Sequence, residues 1–169
     1  MKQRLHTIAL AAALLAAGVY GGLHWALAPN PFAPVVAAVL STVATVLMTG
    51  GFHEDGLADV ADGLGGSAQR ERALDIMKDS RIGAFGAMAL VLALLSKLAL
   101  LSLLGAHSLA VALSALAGAH VLSRLWPLFI VRALPHVGDT ARSKSKPLAD
   151  QITPGALVAA CLWCFVPVA

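Results

Sequence analysis

The chain has 169 residues, 59% hydrophobic and 12% charged, with a formal net charge of +3 and a mean hydropathy of +0.81. Soluble domains carry roughly 25% charged residues, so this composition excludes an ordinary water-soluble domain and points to lipid as the solvent for much of the surface. Aromatics at 5%, with no basic patch interleaved among them, exclude a nucleic-acid reader.

A membrane span needs about 20 mostly apolar residues. Five segments are candidates, at 8–28, 33–52, 84–104, 108–131 and 154–169. The expected fold is therefore all-α: a polytopic integral membrane helical bundle of about five spans, forming a single membrane domain over residues 1–169. Lys2 and Arg4 precede the first run and Ala26-Leu27-Ala28 follows it, features shared with a secretory signal and its cleavage site. The run is nevertheless long enough to span, and further spans follow, so a retained helix is expected. The last segment stops at Pro167-Val168-Ala169 and reads as though cut inside a helix. Cys161 and Cys164 within it form a lone C-x-x-C without a second pair or a histidine at ligand spacing, and read as ordinary helix residues.

Lysine and arginine set orientation. Ten of the twelve lie at the N-terminus, in the loop 53–83 or in the loop 132–153, whereas the links at 29–32 and 105–107 have none. With each helix crossing once, the three basic segments share one face. The N-terminus and both loops are expected in the cytoplasm, and the chain in a bacterial inner membrane. Lys97 and Arg124 fall inside expected spans. Both can snorkel to an interface, and Arg124 can alternatively reach an anionic substrate.

The acidic residues have a pattern. Seven of nine lie between Glu54 and Asp79. Asp55, Asp59 and Asp62 stand at i, i+4 and i+7, so a helix continuing from the second span puts all three on one face. Stacked carboxylates raise one another's pKa, an arrangement that is costly without a cation between them. Magnesium commonly pairs one or two carboxylates with substrate phosphates. After a Gly-rich bend, Gly63-Leu64-Gly65-Gly66-Ser67, Asp75 and Asp79 repeat the i, i+4 spacing. The expected geometry is a cytoplasmic helical hairpin presenting two acidic faces to each other, with room for one or two metals. Lys78 and Arg81 are placed to neutralise phosphate charge, and the implied chemistry is metal-assisted phosphoryl transfer.

Other motifs fail on detail. His53-Glu54 begins like H-E-x-x-H, but position 57 is leucine, and the glycine run lacks the G-K-[ST] of a phosphate loop. His53 opens the acidic run and is a candidate for metal or phosphate binding. The remaining histidines read as interfacial or helix-packing groups. Arg142-Ser143-Lys144-Ser145-Lys146-Pro147 alternates hydroxyls with cations, as either a positive-inside anchor or a phosphate clamp using Lys144 and Lys146.

The stretch His53-Glu54-Asp55-Gly56-Leu57-Ala58-Asp59-Val60-Ala61-Asp62-Gly63 resembles the H-x-D-G-L-x-D-x-x-D-G motif of cobalamin synthases, and Met77-Lys78-Asp79-Ser80-Arg81-Ile82-Gly83 resembles their M-K-D-S-R-I-G. Ser123-Arg124 and the Ser-Lys-Ser-Lys-Pro stretch are similar to the same family. The resemblance covers nearly the whole chain. It implies an integral cytoplasmic-membrane enzyme that uses magnesium, joins adenosylcobinamide-GDP to α-ribazole or its 5′-phosphate, and releases GMP. It further implies Asp55, Asp59, Asp62 and Asp79 as metal ligands, with Asp75 beside them, and Lys78 and Arg81 on the diphosphate. Asp79 is alternatively a general base on the ribose hydroxyl. Members usually carry a further N-terminal segment with a T-R-x-P-like motif and more membrane helix at the C-terminus, so an incomplete chain is expected; a homo-oligomer is left open.

Two other functions compete. A CDP-alcohol phosphotransferase has D-x-x-D-G-x-x-A-R followed by G-x-x-x-D-x-x-x-D; Asp59, Asp62, Gly63, Asp75 and Asp79 fit, but the A-R is absent and position 71 is glutamate. A cation-binding or transport protein needs carboxylates at membrane depth, and the expected spans contain none.

Overall fold

The computed structural model describes residues 2–134 and 153–165. All regular structure among the described residues is helical: α1 (Lys2–Ala26), α2 (Ala33–Thr49), α3 (Phe52–Gly66), α4 (Arg70–Ile76), α5 (Ala84–His107), α6 (Leu109–Ala133) and α7 (Pro154–Phe165). Lys144 and Lys146, with nearly all of the basic loop 132–153, lie outside the described residues.

α5 and α6 have 24 and 25 residues and are apolar enough to cross a membrane. At 1.5 Å per residue each reaches about 36 Å, more than the roughly 30 Å of a hydrocarbon core. α2 and α3 together make a third candidate span, bent by 86° at their junction. The other apolar helices are shorter, Ala11–Ala26 within α1 and the 12 residues of α7. Leu92, Leu95, Leu100 and Leu103 of α5 are all more than half exposed, as expected of a helix whose solvent is lipid.

The chain divides into two compact units, Leu15–Leu113 and Met1–Leu14 with Ser114–Ala169. The first contains the acidic segment. Its packing uses small residues: α2 buries Ala33, Ala37, Ala38, Ser41, Thr42 and Thr45 along one stripe. Small side chains let helix backbones approach where lipid removes the hydrophobic drive to associate. Polar atoms then bridge the helices. The Ser41 hydroxyl donates to the Ala16 carbonyl at 2.9 Å, and the fully buried Tyr20 hydroxyl donates to the Leu101 carbonyl at 2.8 Å. His24 Nε2 lies 3.1 Å from the Gly105 carbonyl and its ring stacks on Tyr20, so this histidine is a helix-packing group.

α2 does not run on into the acidic segment. Gly50 and Gly51 both take left-handed φ, 65° and 70°, a region where a side chain costs roughly 1–2 kcal/mol. The Gly50 amide donates to Leu47 and the Gly51 amide to Val46, which satisfies the last carbonyls of α2 in the pattern of a Schellman cap. The chain then turns and α3 begins, its first bond running from the Asp55 amide to the Gly51 carbonyl at 2.8 Å. The second span therefore does not continue as one helix through Asp62, because adjacent glycines can adopt the turn that other residues resist, and the three aspartates share a face of the separate helix α3.

α3 carries Asp55, Asp59 and Asp62 within one helix. Ser67–Gln69 link it to α4, where the Gln69 amide donates to the Ser67 hydroxyl at 3.0 Å, and α4 packs back on α3. Residues 77–83 lead from there into α5, which packs along both α2 and α3.

Candidate active site

The i, i+4 spacing on α3 places Asp55 and Asp59 on successive turns of one face, with Cβ atoms roughly 5–6 Å apart. That face forms one wall of a cleft of about 430 Å³, with Asp55, Ala58 and Asp59 on α3 and Ser80, Arg81 and Ile82 from the link before α5. Gly50, Gly51 and Leu90 complete the lining. The bend that ends α2 is therefore also part of the cleft, and the link brings a hydroxyl and a guanidinium to two carboxylates.

Electrostatics differ from one carboxylate to the next. Partial burial holds the Asp59 carboxyl above its ordinary value, with the charges of Asp55 and Asp62 pushing the same way. Asp79 goes in the opposite direction. Arg81 Nη2 donates to Asp79 Oδ2 at 2.6 Å and Arg81 Nε to Asp79 Oδ1 at 3.0 Å, while the Arg81 amide adds a third bond at 3.1 Å. These bonds and the guanidinium charge bring the Asp79 pKa down to about 2. Both side chains are solvent-facing. Glu54, beside Asp55, buries one carboxylate oxygen that finds no hydrogen-bond partner among the described residues.

Asp62 has another environment. It is buried, 8% exposed, and its two oxygens accept from two backbone amides, Gly83 at 2.7 Å and Gly86 at 2.8 Å. Gly83 is the N-cap of α5 and has no side chain to cap it. Amides in the first turn of a helix have no acceptor within it, and Asp62 supplies one from α3. The approach is close enough that a Cβ on either glycine would collide with the Asp62 carboxylate.

Among the described residues, no three His, Cys, Asp or Glu side chains draw together as a metal cage. α4 packs on α3, but the second acidic pair is engaged locally: Asp75 lies 4.0 Å from Lys78, both highly exposed, and Asp79 is held by Arg81. The donors facing the cleft are thus Asp55 and Asp59. Two carboxylates beside an open volume suit a hard cation that takes its other ligands from water and phosphate oxygens.

Comparison with known proteins places the chain. The family model described as cobalamin-5-phosphate synthase matches residues 1–169. The chain belongs to the cobalamin-5-phosphate synthase family. It is similar to an adenosylcobinamide-GDP ribazoletransferase of a Polaromonas species, at 62% identity over 92% of this chain and 60% of the relative. The protein of that name from Albidiferax ferrireducens is 67% identical over 80% of this chain and 49% of its own length. That from Polaromonas naphthalenivorans is 60% identical over 89% and 58%. The chain thus spans roughly half to three-fifths of the length of these curated relatives. No solved structure matches it.

The cleft brings Asp55, Asp59 and Arg81 together and adds Ser80, Ile82, Gly50 and Gly51, which are not among the candidates that the sequence offers. Lys78 and Asp75 lie on the neighbouring turn, outside the cleft lining. His53 is exposed and meets Phe52 edge-on. Arg124 belongs to the other unit of the chain, where its Nη1 donates to the His120 carbonyl on its own helix at 2.9 Å. A neighbour of a motif aspartate, Ser80, could have been found from sequence, since a hydroxyl between Asp79 and Arg81 is a natural phosphate donor.

Proposed function

We propose that this chain carries the phosphoryl-transfer site of an adenosylcobinamide-GDP ribazoletransferase. The reaction moves the adenosylcobinamide-phosphate group from adenosylcobinamide-GDP to a ribose hydroxyl of α-ribazole or its 5′-phosphate. A new P–O bond forms to the ribose oxygen, the bridging P–O bond of the diphosphate breaks, and GMP leaves with the bridging oxygen. The observation that carries this reading is the cleft itself, with two repelling carboxylates on α3 facing a guanidinium and a hydroxyl, in a chain of this family.

Asp55 and Asp59 would hold magnesium, which when bound supplies Lewis-acid stabilisation of phosphate charge. Arg81 and the Ser80 hydroxyl bind and orient the diphosphate, and Arg81 can exchange its Asp79 fork for two phosphate oxygens without changing donor geometry. That exchange frees Asp79, at the edge of the cleft, to accept the ribose proton. Lys78 adds positive charge beside the same phosphates. Asp75 is a further candidate ligand for the metal, and His53 a candidate for metal or phosphate binding.

The reading includes a topology. About five helices embed the chain in the bacterial inner membrane, with the N-terminus, the α3–α4 hairpin and the 132–153 loop on the cytoplasmic side, by the distribution of Lys and Arg. Both substrates then reach the cleft from the cytoplasm.

The test is GMP release from adenosylcobinamide-GDP in liposomes, with α-ribazole and magnesium, comparing the chain with Asp59→Asn. Magnesium-dependent release that requires α-ribazole and is lost in the variant is expected. Undiminished release by Asp59→Asn would remove the cleft from the chemistry.

A further inference from the structure

Asp55, Asp59 and Asp62 share a helix face and, by spacing alone, are equivalent. The structure separates them. Asp55 is exposed and Asp59 half-buried at the cleft, whereas Asp62 is buried and absent from the cleft lining. Its oxygens are committed to the Gly83 and Gly86 amides, 21 and 24 residues along the chain. A carboxylate accepting from the first turn of a helix gains from both the unsatisfied amides and the positive end of the helix dipole. Moving it onto a cation would orphan two amides at a packed junction, each at the cost of a buried unmade bond.

We propose that Asp62 is a positioning residue rather than a metal ligand: it locks α3 onto the N-terminus of α5 and thereby sets the distance across the cleft between the Asp55–Asp59 pair and Ser80–Arg81. The link is direct. Gly83, which Asp62 holds, follows Arg81 by two residues, and Asp62 follows Asp59 by less than one helical turn. One carboxylate therefore fixes both walls of the cleft. Gly83 and Gly86 are glycines in this reading because a side chain at either would displace the carboxylate. The proposal rests on the cleft being the metal-phosphate site, but the bonds that carry it do not.

The experiment uses the whole chain in detergent, with manganese as the metal probe. Amide exchange at Gly83 and Gly86 is followed with and without the ion, and the electron paramagnetic resonance spectrum of bound manganese is recorded. In the unaltered chain the Gly86 amide stays protected whether or not manganese is bound. Asp62→Asn keeps one acceptor in place of two, so exchange at these amides speeds up by about tenfold or more and Asp62→Ala goes further. In Asp62→Asn the ion still binds but its spectrum broadens, because Asp59 is no longer held in one place, a change that a loss of stability elsewhere would not produce. Asp59→Asn does the reverse, lowering manganese affinity by about tenfold or more with Gly86 protection intact.

Loss of Gly86 protection on adding manganese to the unaltered chain would overturn the proposal, and so would Asp62→Asn abolishing binding with Gly86 still protected. Should the Asp62 variants fail to fold, the unaltered-chain comparison decides alone. If Asp59→Asn leaves manganese binding unchanged, the cleft reading falls, and Gly86 protection still decides the role of Asp62.

Discussion

Replacing Gly105 by alanine forces a methyl group onto the Tyr20 hydroxyl. The same Cβ would lie 3.1 Å from Tyr20 Cζ and 3.2 Å from Pro34 Cβ, both tighter than ordinary contact. Overpacking of this kind costs about 1–3 kcal/mol. The displaced hydroxyl also gives up its 2.8 Å bond to the Leu101 carbonyl, and interhelical bonds in membrane proteins average about 0.6 kcal/mol. Gly105→Ala should therefore destabilise by about 2–3 kcal/mol. Tyr20→Phe removes only the hydrogen bond and should cost about 0.6 kcal/mol. The two changes are not independent, because phenylalanine takes away the atom with which the new methyl collides. The double variant is expected to be more stable than Gly105→Ala alone, by about 1–2 kcal/mol. Unfolding in detergent micelles, followed by circular dichroism for all four proteins, measures the coupling. Simple additivity, with the double variant the least stable of the four, would refute the claim that Gly105 exists to admit the Tyr20 hydroxyl.

Three further outcomes are expected. Gly51→Ala puts a side chain at φ 70° and should cost about 1–2 kcal/mol; because Gly51 also lines the cleft, GMP release should fall more than the loss of stability measured by thermal unfolding accounts for. The raised pKa of Asp59 means that the folded chain binds this proton more readily than the unfolded one, so the unfavourable contribution is absent below the ordinary value of 3.8 and grows as pH rises through the raised value. Asp59→Asn should accordingly raise the metal-free unfolding temperature at neutral pH and leave it nearly unchanged at acid pH. Asp79 has the opposite sign: lowered to about 2 from 3.8, it contributes stability that is present above the ordinary value and lost as pH falls toward the folded one. Arg81→Ala should return Asp79 toward its ordinary titration, as followed by carboxylate NMR, and should raise the KM for adenosylcobinamide-GDP.

The long helices were legible in the sequence because apolar length alone specifies them: α5 and α6 fall within a few residues of the runs at 84–104 and 108–131. The helical character of the acidic segment was legible as well, from the spacing of Asp55, Asp59 and Asp62. The break before it was less so. Gly50-Gly51 reads in sequence as a permissive pair inside an apolar run, and only the caps on Leu47 and Val46 make it a turn. Long-range partners left no trace. Tyr20 meets Leu101 and His24 meets Gly105 across 81 residues, and neither helix pattern announces the other. Asp62 is the sharpest case. Periodicity says which residues share a face, but not how far along that face a neighbouring helix covers it, and α5 begins where the last of the three aspartates lies.

That partial cover explains why carboxylates of one motif have different surroundings. Asp62 meets the positive end of α5 and is satisfied there; Asp59 is partly buried and feels the charges of Asp55 and Asp62, so its carboxyl rises. A favourable position for a cation is therefore concentrated at the Asp55–Asp59 end of the face. Arg81 lines the same cleft, yet its guanidinium is paired with Asp79, two residues away in its own loop. Exposed ion pairs of this kind are weak, so on the proposed reading Asp79 can yield Arg81 to an arriving phosphate. The M-K-D-S-R order thus places a guanidinium at the cleft together with the carboxylate that holds it in the free chain.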